Sequence, residues 1–218
     1  MYAAAYFQEI RDLLAFIEDK QMEATRTVAK TMAHVIRQGQ RVHLLDNGHL
    51  LGNEMQGRAG GFPLLNVLTK DEVYNPALVR RDDMVIIASV SGRSDAVVSA
   101  ALRCKQRGTS VVALTSTAQA NVAKSEHPSG KLLIDVADFV IDIGGKAGDG
   151  LLEINGLDER ACPGSGIASV VVMWALLAQA AGHLIEGGMV PTVFTSVNVP
   201  GGEEALRIEE QRFRDLGY

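Results

Sequence analysis

Cysteine is scarce in this chain: of 218 residues, only Cys104 and Cys162 carry thiols. Two cysteines cannot make a disulfide scaffold, and no secretory signal is read ahead of them. Reduced thiols in a cytoplasmic protein are therefore expected. The five histidines (His34, His43, His49, His127 and His183) are scattered, with no pair at metal-ligand spacing. No metal and no other cofactor is expected. Basic charge is also lacking. Lys and Arg number 21 against 26 Asp and Glu, for a formal net charge of -5. A nucleic-acid binder needs clustered cations along a face, and none is visible. Six Phe, four Tyr and one Trp leave no evident platform for stacking bases. The longest apolar run, residues 167–181, falls short of the roughly 18 residues that a membrane helix needs. It reads as a buried helix, and no membrane partner is expected.

What is present is a chain with 47% hydrophobic and 22% charged residues, enough to bury a sizeable core. Its length suits one α/β domain. Residues 1–39 form a helical segment, 40–200 an α/β core and 201–218 a helical tail. In the first segment Phe7, Ile10, Leu14 and Ile17 share one helical face. Met22, Thr25, Ala29, Met32 and Ile36 continue it, as one helix or as two joined near Lys20. Such a stripe packs either on its own core or on a partner subunit.

Strand and helix patterns then alternate. Residues 41–46 and 83–89 read as strands, the second continuously apolar, as in a strand covered on both faces. Residues 50–59 fit a helix closed by Gly60 and Gly61, and 64–68 form a short apolar segment. Ser94 caps a helix over 95–107 that Gly108 ends. Further strands are expected at 110–114 and 139–143, a long helix at 167–186 and a charged helix at 203–214. Short links between these elements predict a parallel sheet of about five strands sandwiched by helices.

Ligands of such sheets bind beyond the carboxyl ends of the strands. The strongest strand is followed by Ser89-Val90-Ser91-Gly92-Arg93-Ser94-Asp95, and then a helix starts. Gly92 lets backbone N–H groups approach an oxyanion, and the helix N-terminus adds partial positive charge. Ser89, Ser91 and Ser94 add neutral donors. The same residues also suit a plain strand-to-helix turn, and local chemistry leaves both readings open.

The serine loop, its Ala- and Val-rich helix and residues 108–115 (Gly-Thr-Ser-Val-Val-Ala-Leu-Thr) resemble the SIS (sugar isomerase) domain. The resemblance extends to a bacterial subgroup described as sugar isomerase domain-containing or phosphosugar-binding proteins. It is carried by Gly48-His49 through Arg58-Ala59-Gly60-Gly61, by residues 152–157 and by residues 191–202 (Pro-Thr-Val-Phe-Thr-Ser-Val-Asn-Val-Pro-Gly-Gly). It implies a flavodoxin-like α/β fold and a phosphorylated sugar held by Ser89, Ser91, Gly92 and Ser94. Thr115 and Ser116 would stand at the end of the next strand. The chain departs from the subgroup at Leu50, where a Ser is usual, and at residues 163–166 (Pro-Gly-Ser-Gly), which keep one hydroxyl at Ser165.

Aldose–ketose isomerisation needs a base and a proton shuttle. His49 and Glu54 follow the first strand and are the candidate pair, with Asn47 as a candidate sugar ligand. The alternatives are a helix-start polar role for His49 and an i,i+4 ion pair with Arg58 for Glu54. Glu153 and His183 are weaker candidates, and the Gly-rich loop bearing Lys146 and Asp149 reads as a lid. Three functions follow: a phosphosugar isomerase, a phosphosugar sensor without chemistry, and, disfavoured, a dinucleotide enzyme. For the last, residues 46–52 lack the paired glycines that pyrophosphate needs. A homodimer or homotetramer is expected, with the N-terminal helix in the interface.

Overall fold

The computed structural model describes residues 1–48 and 51–218. Five strands, β1 (Val42–Asp46), β2 (Asn66–Leu68), β3 (Met84–Ala88), β4 (Ser110–Thr115) and β5 (Phe139–Asp142), form one parallel sheet in the order β2-β1-β3-β4-β5. The register sets His43 beside Val85, and Val85 beside Val111. The chain leaves β1 toward β2 on one side and continues through β3 on the other. The strand order therefore reverses at β1 and β3, where α/β sheets open a crevice.

Side-chain alternation builds a core on each face. Val42, Leu44, Met84, Ile86, Ala88, Val112, Leu114 and Ile141 face one way. They meet α1 (Tyr2–Arg37) and α5 (Ser165–Glu186), through residues such as Ala29, Met32, Leu176 and Leu177. Leu45, Val85, Ile87, Val111 and Ala113 face the other way, against Val97, Ala101 and Cys104 of α3 (Asp95–Arg107). With both faces covered, β3 is buried throughout, which explains its unbroken apolar sequence.

The N-terminal segment is one continuous helix, without a joint near Lys20. α2 (Leu51–Met55) is shorter than the pattern at 50–59 suggests, because Gly57 and Gly60 adopt φ of +60° and +77°. Two short strands, β6 (Gly150–Leu152) and β7 (Ala161–Pro163), pair antiparallel ahead of α5. α4 (Thr117–Ala120) follows β4, and α6 (Gly202–Leu216) closes the described chain. α5 is long and apolar enough to cross a bilayer by length and composition. Half of it is buried inside the protein, as in a core helix.

A polar pair lies within the α3-side core, near the amino edge of the sheet. His43 Nε2 is 3.2 Å from Asp83 Oδ2, and both residues are essentially inaccessible. Asp83 also accepts the backbone N–H groups of Arg41 at 2.9 Å and Arg80 at 2.7 Å. Burial lowers the His43 pKa, partly opposed by Asp83, so the imidazole is held toward its neutral form.

Candidate functional site

At the carboxyl edge, backbone hydrogen bonds gather three strand ends. Asn47 N–H donates to Ala88 O, Ser89 N–H to Leu114 O and Ser116 N–H to Val90 O, each at 3.0 Å. Asn47, the start of the serine loop and Thr115-Ser116 thus sit side by side. Gly92 holds the loop open in two ways. Its φ is +60°, and a Cβ there would lie 2.7 Å from Leu133 Cβ. Leu133 N–H also donates to Gly92 O at 2.9 Å, tying the loop to residues 124–133.

Ser94 precedes α3 with extended backbone, and its carbonyl accepts the N–H groups of Val97 and Val98 at 3.1 Å. A Ser in this position ordinarily accepts an N–H with its hydroxyl. Here Ser94 Oγ makes no such bond; it is buried and has no partner among the described residues. A buried hydroxyl without a partner is uncommon and costs about 1 to 3 kcal/mol unless a ligand or water satisfies it. Ser89 is buried and Ser91 half-buried. Arg93 points to another partner: Nη2 lies 2.6 Å from Glu126 Oε1. The loop thus presents hydroxyls and backbone N–H groups, with its cation neutralised at the rim.

Thr115 and Ser116 stand where the sequence places them, but their hydroxyls serve the fold. Thr115 Oγ1 donates to Val90 O at 2.9 Å, and Ser116 Oγ accepts Gln119 N–H at 3.3 Å to cap α4. They shape the loop's floor. Their partners stand 25 positions away or lie in an unforeseen helix, so no local pattern could name them.

Glu54 and Ser165 line a cavity of about 750 Å³, with Asp149, Ile167, Val170 and Val171. Glu54 Oε2 is 2.5 Å from Arg58 Nη1, the i,i+4 pair foreseen as the alternative. Its Oε1 accepts the Trp174 indole N–H at 3.4 Å. Ser165 Oγ donates to Asp149 Oδ2 at 2.6 Å, and its N–H to Asp149 Oδ1 at 2.9 Å. Asp149 thus caps α5 from a loop, while Lys146 of the same loop is 2.7 Å from Glu9. Among the described residues, no hydrogen bond joins this cavity to the serine loop. His49 and Leu50 lie outside the described residues, so the His49–Glu54 pairing has no geometry. Trp174 is a site residue that no motif in the sequence marks. Its signal was the outer apolar stripe of Ile167, Val170, Val171 and Trp174, at helical spacing and apart from the core stripe.

A second cavity, of about 470 Å³, lies between α1 and the end of β5. Glu9, Asp12 and Asp142 outnumber Lys146 in its lining, a balance that disfavours a phosphate.

Residues 65–116 match the family described as SIS domain. A UPF0309 protein of Caldanaerobacter subterraneus subsp. tengcongensis is 32% identical over 91% of this chain and 92% of its own length. Among solved structures, a phosphoheptose isomerase from Francisella tularensis aligns with a TM-score of 0.57 at 16% identity. That alignment covers 82% of this chain and 96% of the isomerase. An Escherichia coli CFT073 protein in complex with A5P aligns at 0.55 with 14% identity, covering 87% and 91%.

Proposed function

The chain belongs to the UPF0309 family and carries a SIS domain, and from that premise we propose that it binds a phosphorylated sugar through the serine loop and isomerises it. One observation carries the binding half: the buried, unpartnered Ser94 Oγ. It sits in a loop that Gly92 holds open at the N-terminus of a 13-residue helix. A phosphate there gains the helix N-terminus, backbone N–H groups and up to three hydroxyls. The Francisella protein is a phosphoheptose isomerase and the Escherichia coli protein was solved with A5P, both of the same fold, which favours the same ligand class.

For the chemistry, Glu54 and His49 are the proposed proton-transfer pair. Glu54 opens onto a cavity beside the exposed residues Ile167 and Val171 of α5. An apolar helix face next to a carboxylate suits burial against a second copy of the chain, and a homodimer or homotetramer is proposed. Mass from light scattering checks this at micromolar concentration, and a monomer contradicts it. A second reading, a sensor without turnover, is favoured by the Glu54–Arg58 ion pair, which engages the carboxylate.

A thermal-shift panel tests the binding reading. It holds pentose 5-phosphates, hexose 6-phosphates and heptose 7-phosphates beside the same sugars without phosphate. A ligand at about 100 Kd stabilises by about 2.7 kcal/mol, or roughly 5 to 10 °C for a chain of this size. Only the phosphorylated sugars should shift the parent. Turnover of a shifting sugar, lost in Glu54→Gln, separates the isomerase from the sensor.

A further inference from the structure

Two stretches that the phosphate site does not use meet around the Glu54 carboxylate. Its oxygens are held from different elements: Oε2 by Arg58 at 2.5 Å, and Oε1 by the indole N–H of Trp174 at 3.4 Å. Arg58 is exposed and lies just beyond the end of α2. Trp174 is different: it is half-buried on α5, the helix packed along α1 and against α2.

The indole has its own seat. A Cβ on Gly61 would stand 3.3 Å from Trp174 Cη2 and 2.9 Å from Arg58 O, so this buried glycine leaves the room the ring occupies. A two-way backbone link fixes Gly61. Gly60 N–H donates to Phe194 O at 2.7 Å, and Phe194 N–H donates to Gly61 O at 3.1 Å. The far side of that link is anchored on α6. Thr195 donates its N–H and its hydroxyl to Glu209, both at 2.6 Å, and the Phe194 ring meets Phe213 edge-on at 6.5 Å. Residues 191–202, distinctive in sequence, thus act as a strap over the glycine pair.

We infer that Trp174 is a positioning residue for the Glu54 carboxylate, and that Gly61 and the Phe194 strap set the indole's place. This rests on the reading of Glu54 as a proton-transfer group. The terminal torsion of a glutamate is broad and two-fold, so one donor leaves the carboxylate plane free to swivel. The indole N–H donates only, and from a rigid helix it fixes that plane. Misplacing a reacting group by about 1 Å can cost about a hundredfold in rate.

The chain has a single tryptophan, so an amide ¹H–¹⁵N spectrum of the intact protein shows one indole cross-peak. That peak should move upfield in Glu54→Ala, where the acceptor is gone. In protein labelled with ¹³C-glutamate, the Glu54 carboxyl resonance, assigned by its loss in Glu54→Gln, should move in Trp174→Phe. It should return toward the parent position in Trp174→His, which restores a ring N–H. Gly61→Ala should displace the indole peak with Glu54 intact. On any sugar phosphate of the panel that turns over, Trp174→Phe should lower kcat about tenfold and leave KM within about twofold. An indole peak indifferent to Glu54→Ala, or a Glu54 resonance indifferent to Trp174→Phe, overturns the positioning role. An indole peak unmoved in Gly61→Ala overturns the seat. If the resonances respond as stated and no sugar phosphate binds, the phosphosugar reading fails and the link between Trp174 and Glu54 stands.

Discussion

Replacing Gly92 with alanine sets two demands of the serine loop against each other, and the fold provides a control for one of them. At Gly92, φ is +60° and the added Cβ would lie 2.7 Å from Leu133 Cβ and 3.3 Å from Leu133 N. At Gly130, φ is +72° but nothing lies within 4 Å of the added Cβ. Gly130→Ala therefore carries only the left-handed backbone cost, about 1 to 2 kcal/mol. Gly92→Ala adds overpacking against a side chain anchored at its own backbone, typically about 1 to 3 kcal/mol more. For a chain of this length each kcal/mol moves the melting temperature by roughly 2 to 4 °C. Gly92→Ala should then melt on the order of 10 °C below the parent, and Gly130→Ala about 2 to 8 °C below. Scanning calorimetry of the two variants reads the difference directly. Equal melting temperatures would refute the claim that close packing of Leu133 on Gly92 holds the loop.

Three further outcomes follow from particular side chains. Burial lowers the folded-state pKa of His43 from 6.5, opposed by Asp83 and reinforced by Arg41 and Arg80. Below about pH 6.5 the unfolded chain therefore binds a proton that the folded chain refuses. Stability should fall as pH drops from there toward the folded value, and urea titrations should show a shallower fall in His43→Asn. Cys104 is buried, with its pKa pushed up to about 11 by desolvation, whereas Cys162 is exposed. A thiol reagent at pH 8 should label one cysteine per native chain and two after unfolding. Glu126→Gln should release Arg93 toward the loop, tighten inorganic phosphate binding about threefold to tenfold and steepen its salt dependence. Calorimetric titration at two ionic strengths checks this, and unchanged affinity would mean that Arg93 does not reach the anion.

The elements that sequence reading located well have local signals. β3 shows an unbroken apolar run, and α3 has Ser94 before it and Gly108 after it, at φ +83°. α2 ends before the pattern at 50–59 does, because Gly57 and Gly60 turn the backbone to positive φ and Gly60 and Gly61 bond to Phe194, far along the chain. The β6–β7 hairpin has no local signal: its strands have three residues each, and Arg160 helps close it with a hydrogen bond to Gly150 O. Glu153 simply pairs with Arg160 at its end. At the candidate site the serine loop was legible because a glycine and three hydroxyls fall between a strand and a helix. The engagement of Ser165 by Asp149 was not, since it depends on a loop returning 16 residues in sequence. The same holds for Glu54, whose second partner is 120 positions away.

The most direct test of the phosphate site is calorimetric titration of the parent and a Ser91→Ala/Ser94→Ala double variant. The ligand is the sugar phosphate giving the largest thermal shift, with its dephosphorylated sugar beside it. Each hydroxyl that donates to a charged oxygen contributes about 1.5 to 3 kcal/mol, so the double variant should bind at least about a hundredfold more weakly. Its melting temperature without ligand should match or exceed the parent's, because the orphaned Ser94 hydroxyl is removed. The dephosphorylated sugar should bind the parent no better than it binds the variant. Equal affinity of parent and double variant for the sugar phosphate would contradict the assignment and move the phosphate away from this loop.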